Sequence, residues 1–207
     1  LVAKKYGMVI DLRRCIGCHT CAIACKLENN VPMGLFWNRV LTRGGPGLDI
    51  PEGSYPYLKR EYLPVACQHC ENAPCVKVCP VGATYKDPDG RVLINYDRCI
   101  GCRYCMTACP YNARVFNWQE PLRIPGHSYG SQGVPDRKRG VVEKCSFCQQ
   151  LVDAGREPFC VTCCPARARK FGDLNDPESE VSRLLRERPA ERLLEDRGTR
   201  PQVYYLR

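Results

Sequence analysis

"RCIGCHTCAIAC" (residues 14–25) and "RCIGCRYCMTAC" (residues 98–109) spell nearly the same twelve letters 84 residues apart, with four cysteines in each copy. Working outward from this repeat, two further bunches of four appear. The four bunches are Cys15, Cys18, Cys21 and Cys25; Cys67, Cys70, Cys75 and Cys79; Cys99, Cys102, Cys105 and Cys109; and a stretched set, Cys145, Cys148, Cys160 and Cys164. Sixteen of the 17 cysteines are thereby used, and Cys163 is left over. Three bunches continue alike, as "CPVGA", "CPYNA" and "CPARA", whereas the first continues "CKLEN". The repeat is a duplicated metal-binding unit.

Composition supports metal over disulfides. Disulfide scaffolds are usually secreted chains too short to build a core. This chain has 207 residues, enough for one compact domain or two small ones. Cysteines two to four residues apart are poorly placed to bridge one another but can converge on a metal centre. Pro and Gly number 17 each, and the 44% hydrophobic share already counts the cysteines. Apolar burial alone is therefore insufficient, and inorganic centres have to supply part of the folding energy. No apolar run approaches the length of a membrane span. The opening "LVAKKYGMVIDLRRC" lacks the apolar stretch of a signal peptide.

Spacing also decides the metal. Structural zinc sites pair two C-x2-C units across a long spacer. In C-x2-C-x2-C-x3-C, three thiolates within seven residues can cap three corners of one iron–sulfur cubane. The fourth then reaches a second cluster, as in bacterial two-cluster ferredoxins. A zinc-based structural or nucleic-acid module is the weaker reading. The net charge of +9 would otherwise invite nucleic acid. Four cubanes at about −2 each nearly cancel it, leaving roughly +1, so nucleic acid is not expected. Arg14, Arg98 and Lys144 each precede the first cysteine of a bunch, where a cation stabilises a reduced cluster. A solvated side chain beside a loop is the competing reading for each. His19 and His69 sit inside complete bunches, so they are expected as outer donors or exposed side chains. His127 carries no signal, Cys163 is expected as a small buried apolar residue, and Trp37 and Trp118 as packing residues. No nucleophile–base pair, phosphate loop or paired carboxylates stand out, so no catalytic residue is expected.

Local patterns complete the expectation of an α+β chain, loop-rich with short strands and helices. "GMVIDL" and "GRVLINY" place strands before cysteine runs, and "KDPDGR" (residues 86–91) predicts a hairpin turn between the second and third bunches. Residues 42–56 and 119–140 (insertions 41–56 and 119–140 in domain terms) read as surface segments. Asp176 is expected to cap a helix through "ESEVSRLLRER", with Pro177 at its first position and Pro189 ending it. "QVYYL" (residues 202–206) reads as a late strand or docking segment.

The bunches in order, "CPxxA" after three of them, and the tail sequences "FGDLNDPESEVSRLL" and "GTRPQVYYL" make nearly the whole chain resemble a known family. It is the four-cluster, ferredoxin-like electron-transfer subunit of membrane-bound molybdopterin oxidoreductases, the dimethyl sulfoxide, polysulfide, thiosulfate, tetrathionate and arsenate reductases. The resemblance implies four 4Fe–4S clusters and nested pairing. Cys67, Cys70, Cys75 and Cys109 would hold one cluster, and Cys99, Cys102, Cys105 and Cys79 its neighbour. The outer pair would be Cys15, Cys18, Cys21 with Cys164, and Cys145, Cys148, Cys160 with Cys25. Tandem ferredoxin-like folds follow: an outer one from residues 1–40 and 141–175, an inner one from residues 57–118, and a C-terminal helix and docking tail at 176–207. Nesting costs only about 1.6 kcal/mol in loop closure for the longer link. Spacing alone leaves open the sequential pairing, first with second and third with fourth. The resemblance further implies two partners, a molybdopterin-containing catalytic subunit and a multi-span quinone-binding membrane subunit. It also implies a peripheral position on the periplasmic or outer face. Formate dehydrogenase relatives carry a C-terminal membrane helix, and this chain ends at "VYYLR", so the separate-anchor type is expected. A formate dehydrogenase or hydrogenase-type subunit and a freestanding polyferredoxin carrier are the alternatives. Cys102 stands where nitrate reductase relatives have tryptophan, so the third bunch is expected to hold a complete cubane.

Overall fold

The computed structural model describes residues 3–44, 46–47, 50–122, 130–131 and 133–207; His127 lies outside them. In chain order the elements are β1 (Tyr6–Asp11), α1 (Thr20–Glu28), β2 (Arg39–Arg43), β3 (Glu61–Val65), α2 (Pro74–Lys77), β4 (Thr84–Lys86), β5 (Val92–Ile94), α3 (Tyr104–Thr107), β6 (Val115–Phe116), β7 (Val142–Glu143), α4 (Gln149–Asp153), α5 (Phe159–Thr162), β8 (Arg169–Asp173), α6 (Glu180–Glu187), β9 (Ala190–Glu191) and β10 (Val203–Leu206). Elements this short cannot bury much apolar surface individually, and the packing between them is correspondingly cysteine-rich.

The expected strands form before the first and third bunches as β1 and β5, and "KDPDGR" turns the antiparallel β4–β5 hairpin, with Lys86 opposite Val92. One sheet of four strands runs β8-β1-β10-β9, with β1 parallel to β10 and antiparallel to β8. Alternation along its two inner strands sorts their side chains between two faces. Met8, Ile10, Val203 and Tyr205 join the cysteine-rich core, while Val9, Tyr204 and Leu206 pack with Val181, Leu184 and Leu185 of α6. The "QVYYL" segment is thus an inner strand of the protein's own sheet, with Tyr205 and Leu206 fully buried.

Two expectations about the surface and the last helix need correction. The helix is capped by Ser179, not Asp176: the Ser182 N–H donates to Ser179 Oγ at 3.2 Å. The Asp176 carboxylate instead accepts from the Glu178 N–H at 2.9 Å, so Asp-Pro shapes the turn ahead of the helix. Arg188 is extended before Pro189, which ends the helix as expected. The second insertion does not lie wholly on the surface. Arg137 is buried, donates to the Asn29 carbonyl at 2.9 Å and stacks 4.7 Å over the Trp37 ring. A guanidinium can bury its flat faces against aromatic rings while its N–H groups find carbonyls, a placement that composition does not reveal.

Candidate metal centres

The twelve-residue repeat produces the same backbone twice. Gly17 and Gly101 take φ of 70° and 69°, and His19 and Arg103 take φ of 58° and 62° before α1 and α3 begin. Gly101 is required for a second reason: a Cβ there would collide with the Gly140 carbonyl oxygen. These left-handed turns fold each C-x2-C-x2-C run back on itself. Helix α1 then packs on α5 and α2 on α3, bringing the first bunch to the fourth and the second to the third.

Two cavities are lined by cysteines drawn from more than one bunch. Cys25, Cys145, Cys148 and Cys160, with Cys67, Met8, Phe147 and Arg169, surround an atom-free space of about 400 Å³. Cys79, Cys99, Cys102 and Cys105, with Ala83, Thr84 and Val142, surround one of about 320 Å³. Of the remaining seven, Cys15 lies within electrostatic reach of Cys21 and Cys164, and Cys70 of Cys75, Cys109 and the cavity-lining Cys67. Cys18 is exposed, its Sγ 3.3 Å from Thr20 Oγ1. None of the 17 cysteines is in a disulfide. No three His, Cys, Asp or Glu side chains among the described residues gather tightly enough for one metal ion. The thiols surround larger spaces, which suits a multi-iron cluster.

The electrostatics fit the same group. Burial, then repulsion from neighbouring thiolates, pushes the Cys160 thiol up to about 12 and Cys70 to about 12, and raises Cys25 and Cys145 strongly. Four bare thiolates would not coexist in such a cage, and cationic iron is the partner that ionises them. Backbone N–H groups already point at the sulfurs: Phe147 to Cys145 at 3.4 Å, Thr84 to Cys79 at 3.4 Å and Ala168 to Cys164 at 3.3 Å. Such donors are among the determinants of cluster potential.

The "CPxxA" motif now has a physical reason. Ala83, Ala113 and Ala168 are all buried, and each offers its backbone N–H to the cysteine four residues earlier. A larger side chain would have no room there. The first bunch departs because Lys26 replaces proline, and α1 runs on through Glu28. The backbone N–H four residues after Cys25 is then used within the helix. Asn29 substitutes with its side chain, its Nδ2 lying 3.8 Å from Cys25 Sγ and 3.5 Å from Cys148 Sγ.

Among the three cations considered from sequence, only Lys144 is buried, donating to the carbonyls of Val92 and Cys145; Arg14 and Arg98 are exposed. Two arginines that sequence reasoning missed are more deeply involved. Arg169 is 3% exposed, lines the Cys25/Cys145/Cys148/Cys160 cavity, and places Nη1 3.9 Å from Cys160 Sγ. Arg114 is also 3% exposed and donates through Nη1 to Thr84 Oγ1 at 3.2 Å, while its buried Nη2 meets no oxygen or nitrogen acceptor among the described residues and the guanidinium faces the Cys75 and Cys105 thiols. Burial opposes both charges, but the surrounding thiolates more than offset it: Cys160 and Cys21 for Arg169, Cys75 and Cys105 for Arg114. The signal that could have found them is alignment past the cysteines, since "CPYNAR" and "CPARAR" each end in arginine.

His19 is exposed, and His69 is fully buried. The His69 Nδ1 accepts from the Val92 N–H at 3.1 Å and its ring stacks 3.7 Å from that of Phe147, so it supports the cysteine loops. Cys163 is half-buried, not the buried residue expected, because α5 ends at Thr162 and leaves it on the helix rim. Trp37 is buried; Trp118 is 63% exposed, with its ring against Phe116 and under Arg103.

Residues 58–123 and 132–174 match the family described as the 4Fe-4S dicluster domain. The chain is 58% identical to a putative dimethyl sulfoxide reductase iron–sulfur subunit of Halobacterium salinarum, over 98% of this chain and 79% of that protein. It is 40% identical to a polysulfide reductase chain of Wolinella succinogenes, over 99% of this chain and 95% of that one. Identity to the arsenate respiratory reductase iron–sulfur subunit of a Shewanella species is 39%, over 98% and 96%. This protein belongs to the 4Fe–4S dicluster family of reductase iron–sulfur subunits. It has a ferredoxin-like α+β fold, carries four 4Fe–4S clusters, and transfers electrons within an oxidoreductase complex without being catalytic alone. No helix among the described residues is long and apolar enough to cross a membrane.

Proposed function

We propose that the sixteen bunched cysteines hold the four clusters in two nested pairs, forming one electron path through the chain. The observation that carries this reading is a pair of cavities in which three cysteines of one bunch meet the last cysteine of another: Cys145, Cys148 and Cys160 with Cys25, and Cys99, Cys102 and Cys105 with Cys79. Cys67, which this reading gives to the adjacent ligand set, also borders the first cavity. The outer unit combines residues 1–40 with 141–175, and the inner one spans 57–118. Thiol proximity supports a linear order. Cys21 neighbours Cys160 within the outer pair, Cys145 neighbours Cys67 between the pairs, and Cys75 neighbours Cys105 within the inner pair. Cys18 and Cys102, in the first and last clusters of that order, are both exposed, which suits electron entry and exit at opposite ends.

The path would connect a molybdopterin-containing catalytic subunit, at the outer end, with a quinone-binding membrane subunit at the inner end. The chain would sit peripherally on the membrane. The names of its relatives, reductases of dimethyl sulfoxide, polysulfide and arsenate, favour a sulfur or arsenic oxo-compound as terminal substrate. Cys25→Ser tests the crossing. It should perturb the cluster otherwise held by Cys145, Cys148 and Cys160, against a wild type with about sixteen iron and sixteen sulfide per chain. Cluster-resolved paramagnetic resonance reads this out. Perturbation of the Cys67/Cys70/Cys75 centre would establish sequential pairing, and about eight iron would remove the four-cluster reading.

A further inference from the structure

Arg114 and Arg169 occupy equivalent places in the internal repeat, each the fifth residue after the last cysteine of a "CPxxA" bunch. Both are buried, and both have neutral hydrogen-bond partners: Thr84 Oγ1 for Arg114, and Asn38 Oδ1 at 3.0 Å for Arg169. The partner Thr84 is itself the fifth residue after Cys79, so the inner unit pairs its two equivalent positions across its own pseudo-symmetry. Thr84 lines the Cys79/Cys99/Cys102/Cys105 cavity, and Arg169 lines the Cys25/Cys145/Cys148/Cys160 cavity.

Neither guanidinium belongs to one ligand set alone. Arg114 feels Cys75 and Cys67 of one set and Cys105 of the other; Arg169 feels Cys160 and Cys145 of one and Cys21 of the other. Arginine suits the position because it stays protonated in almost any environment and is less strongly hydrated than lysine. Two clusters that each gain an electron repel through a low-dielectric interior, and a fixed cation between them lowers that penalty.

We propose that Arg114 and Arg169 are internal charge clamps, one per ferredoxin-like unit, each holding a permanent positive charge between two clusters so that both can be reduced in a usable range. Their role is positioning of charge, not ligation. The Nη2 of Arg114, with no oxygen or nitrogen acceptor among the described residues, is a donor directed at sulfur. The proposal rests on the nested ligand assignment, and its test separates the two.

The test is a redox titration of the intact complex, monitored by paramagnetic resonance, on Arg114→Gln, Arg169→Gln, the corresponding lysine variants and Thr84→Val. Arg114→Gln should lower the reduction constants of the inner pair about tenfold or more, ~59 mV per electron, and leave the outer pair in place. Arg169→Gln should do the reverse. The lysine variants should recover most of each shift, and Thr84→Val should give a smaller shift of the same sign in the inner pair alone. If a glutamine variant loses iron, the lysine and Thr84→Val results decide. Unchanged potentials in glutamine variants of full iron content, or lysine variants that shift as far as glutamine, would overturn the clamp. The Cys25→Ser spectrum reports on the ligand assignment separately. Should it perturb the wrong centre while each arginine still shifts two centres together, the pairing fails and the clamp stands.

Discussion

Asn29 shows how one side chain can do the work of a motif. Where the other three bunches use proline to end a helix and an alanine N–H to reach sulfur, the first bunch extends its helix and donates from an amide. The proposed pairing puts Cys25 and Cys148 in one centre, and the amide reaches both, so its loss should be felt by that centre alone. Asn29→Leu removes two N–H···S contacts without removing a ligand. A differential stabilisation of about 1 kcal/mol corresponds to about 40 mV for one electron, so the centre involving Cys148 should fall in potential by that order. Potentiometric titration checks it, and a rise, or a shift in a different centre, would show that the amide acts otherwise. The residue scale is also where sequence reading was most informative and most incomplete. The cysteine bunches stood out because three ligands of one cubane can come from a single short run, whatever supplies the fourth. Arg114, Arg169 and Asn29 did not, because a side chain that modulates a centre can reach it from any direction.

Elements were legible where the local pattern determines them. Apolar runs before the cysteines became β1 and β5, and the Asp-Pro-Asp-Gly turn made the β4–β5 hairpin. The helix cap was displaced to Ser179 because Asp176 and Pro177 together made a turn first, two local preferences competing over three residues. The place of β10 inside the sheet could not be read, since its partner β1 lies some two hundred residues earlier. The same sheet is tied to the end of α6 by an ion pair between the half-buried Arg188 and the buried Asp11. Burial raises the Asp11 carboxyl, but the Arg188 hydrogen bond and charge more than offset this, and the group stays below its ordinary value. A depressed carboxyl stabilises the fold above the unfolded-state value and loses that contribution as pH falls through the folded one. Arg188→Met should therefore cost about 1–2 kcal/mol of α6 protection, read by amide exchange. The difference from wild type should stay level from about pH 8 to about pH 5 and shrink only in more acid solution. A difference that vanished above about pH 6 would point to another group.

At the scale of the whole molecule, the core is an arrangement of thiols and cations as much as of hydrocarbon. Cys21, Cys25, Cys67, Cys70, Cys75, Cys105, Cys145 and Cys160 belong to the same buried cluster as Ile10, Val92, Phe147 and Tyr205. Buried among them, Arg169, Arg114 and Lys144 hydrogen-bond to neutral groups. With clusters bound, those charges face negative centres. With iron removed, the thiols take up protons, driven by the burial that raises their pKa, and the cations are left uncompensated in a poorly solvated interior. A buried charge whose partner is removed costs several kcal/mol, so the iron-free chain loses twice, once in cross-links and once in stranded charge. Oxidation and chelation should therefore abolish near-ultraviolet dichroism and the amide protection of β1, β5 and β8 together, rather than leave an emptied native fold. Arg169→Met sharpens the expectation by reversing sign. It should weaken the loaded protein, where the guanidinium faces reduced clusters, yet leave the iron-free form with more protection in β1 and β8 than iron-free wild type. Native-like protection in iron-free wild type would show that the hydrocarbon core suffices. An Arg169→Met form less protected than wild type in both states would show that the guanidinium serves chiefly as packing.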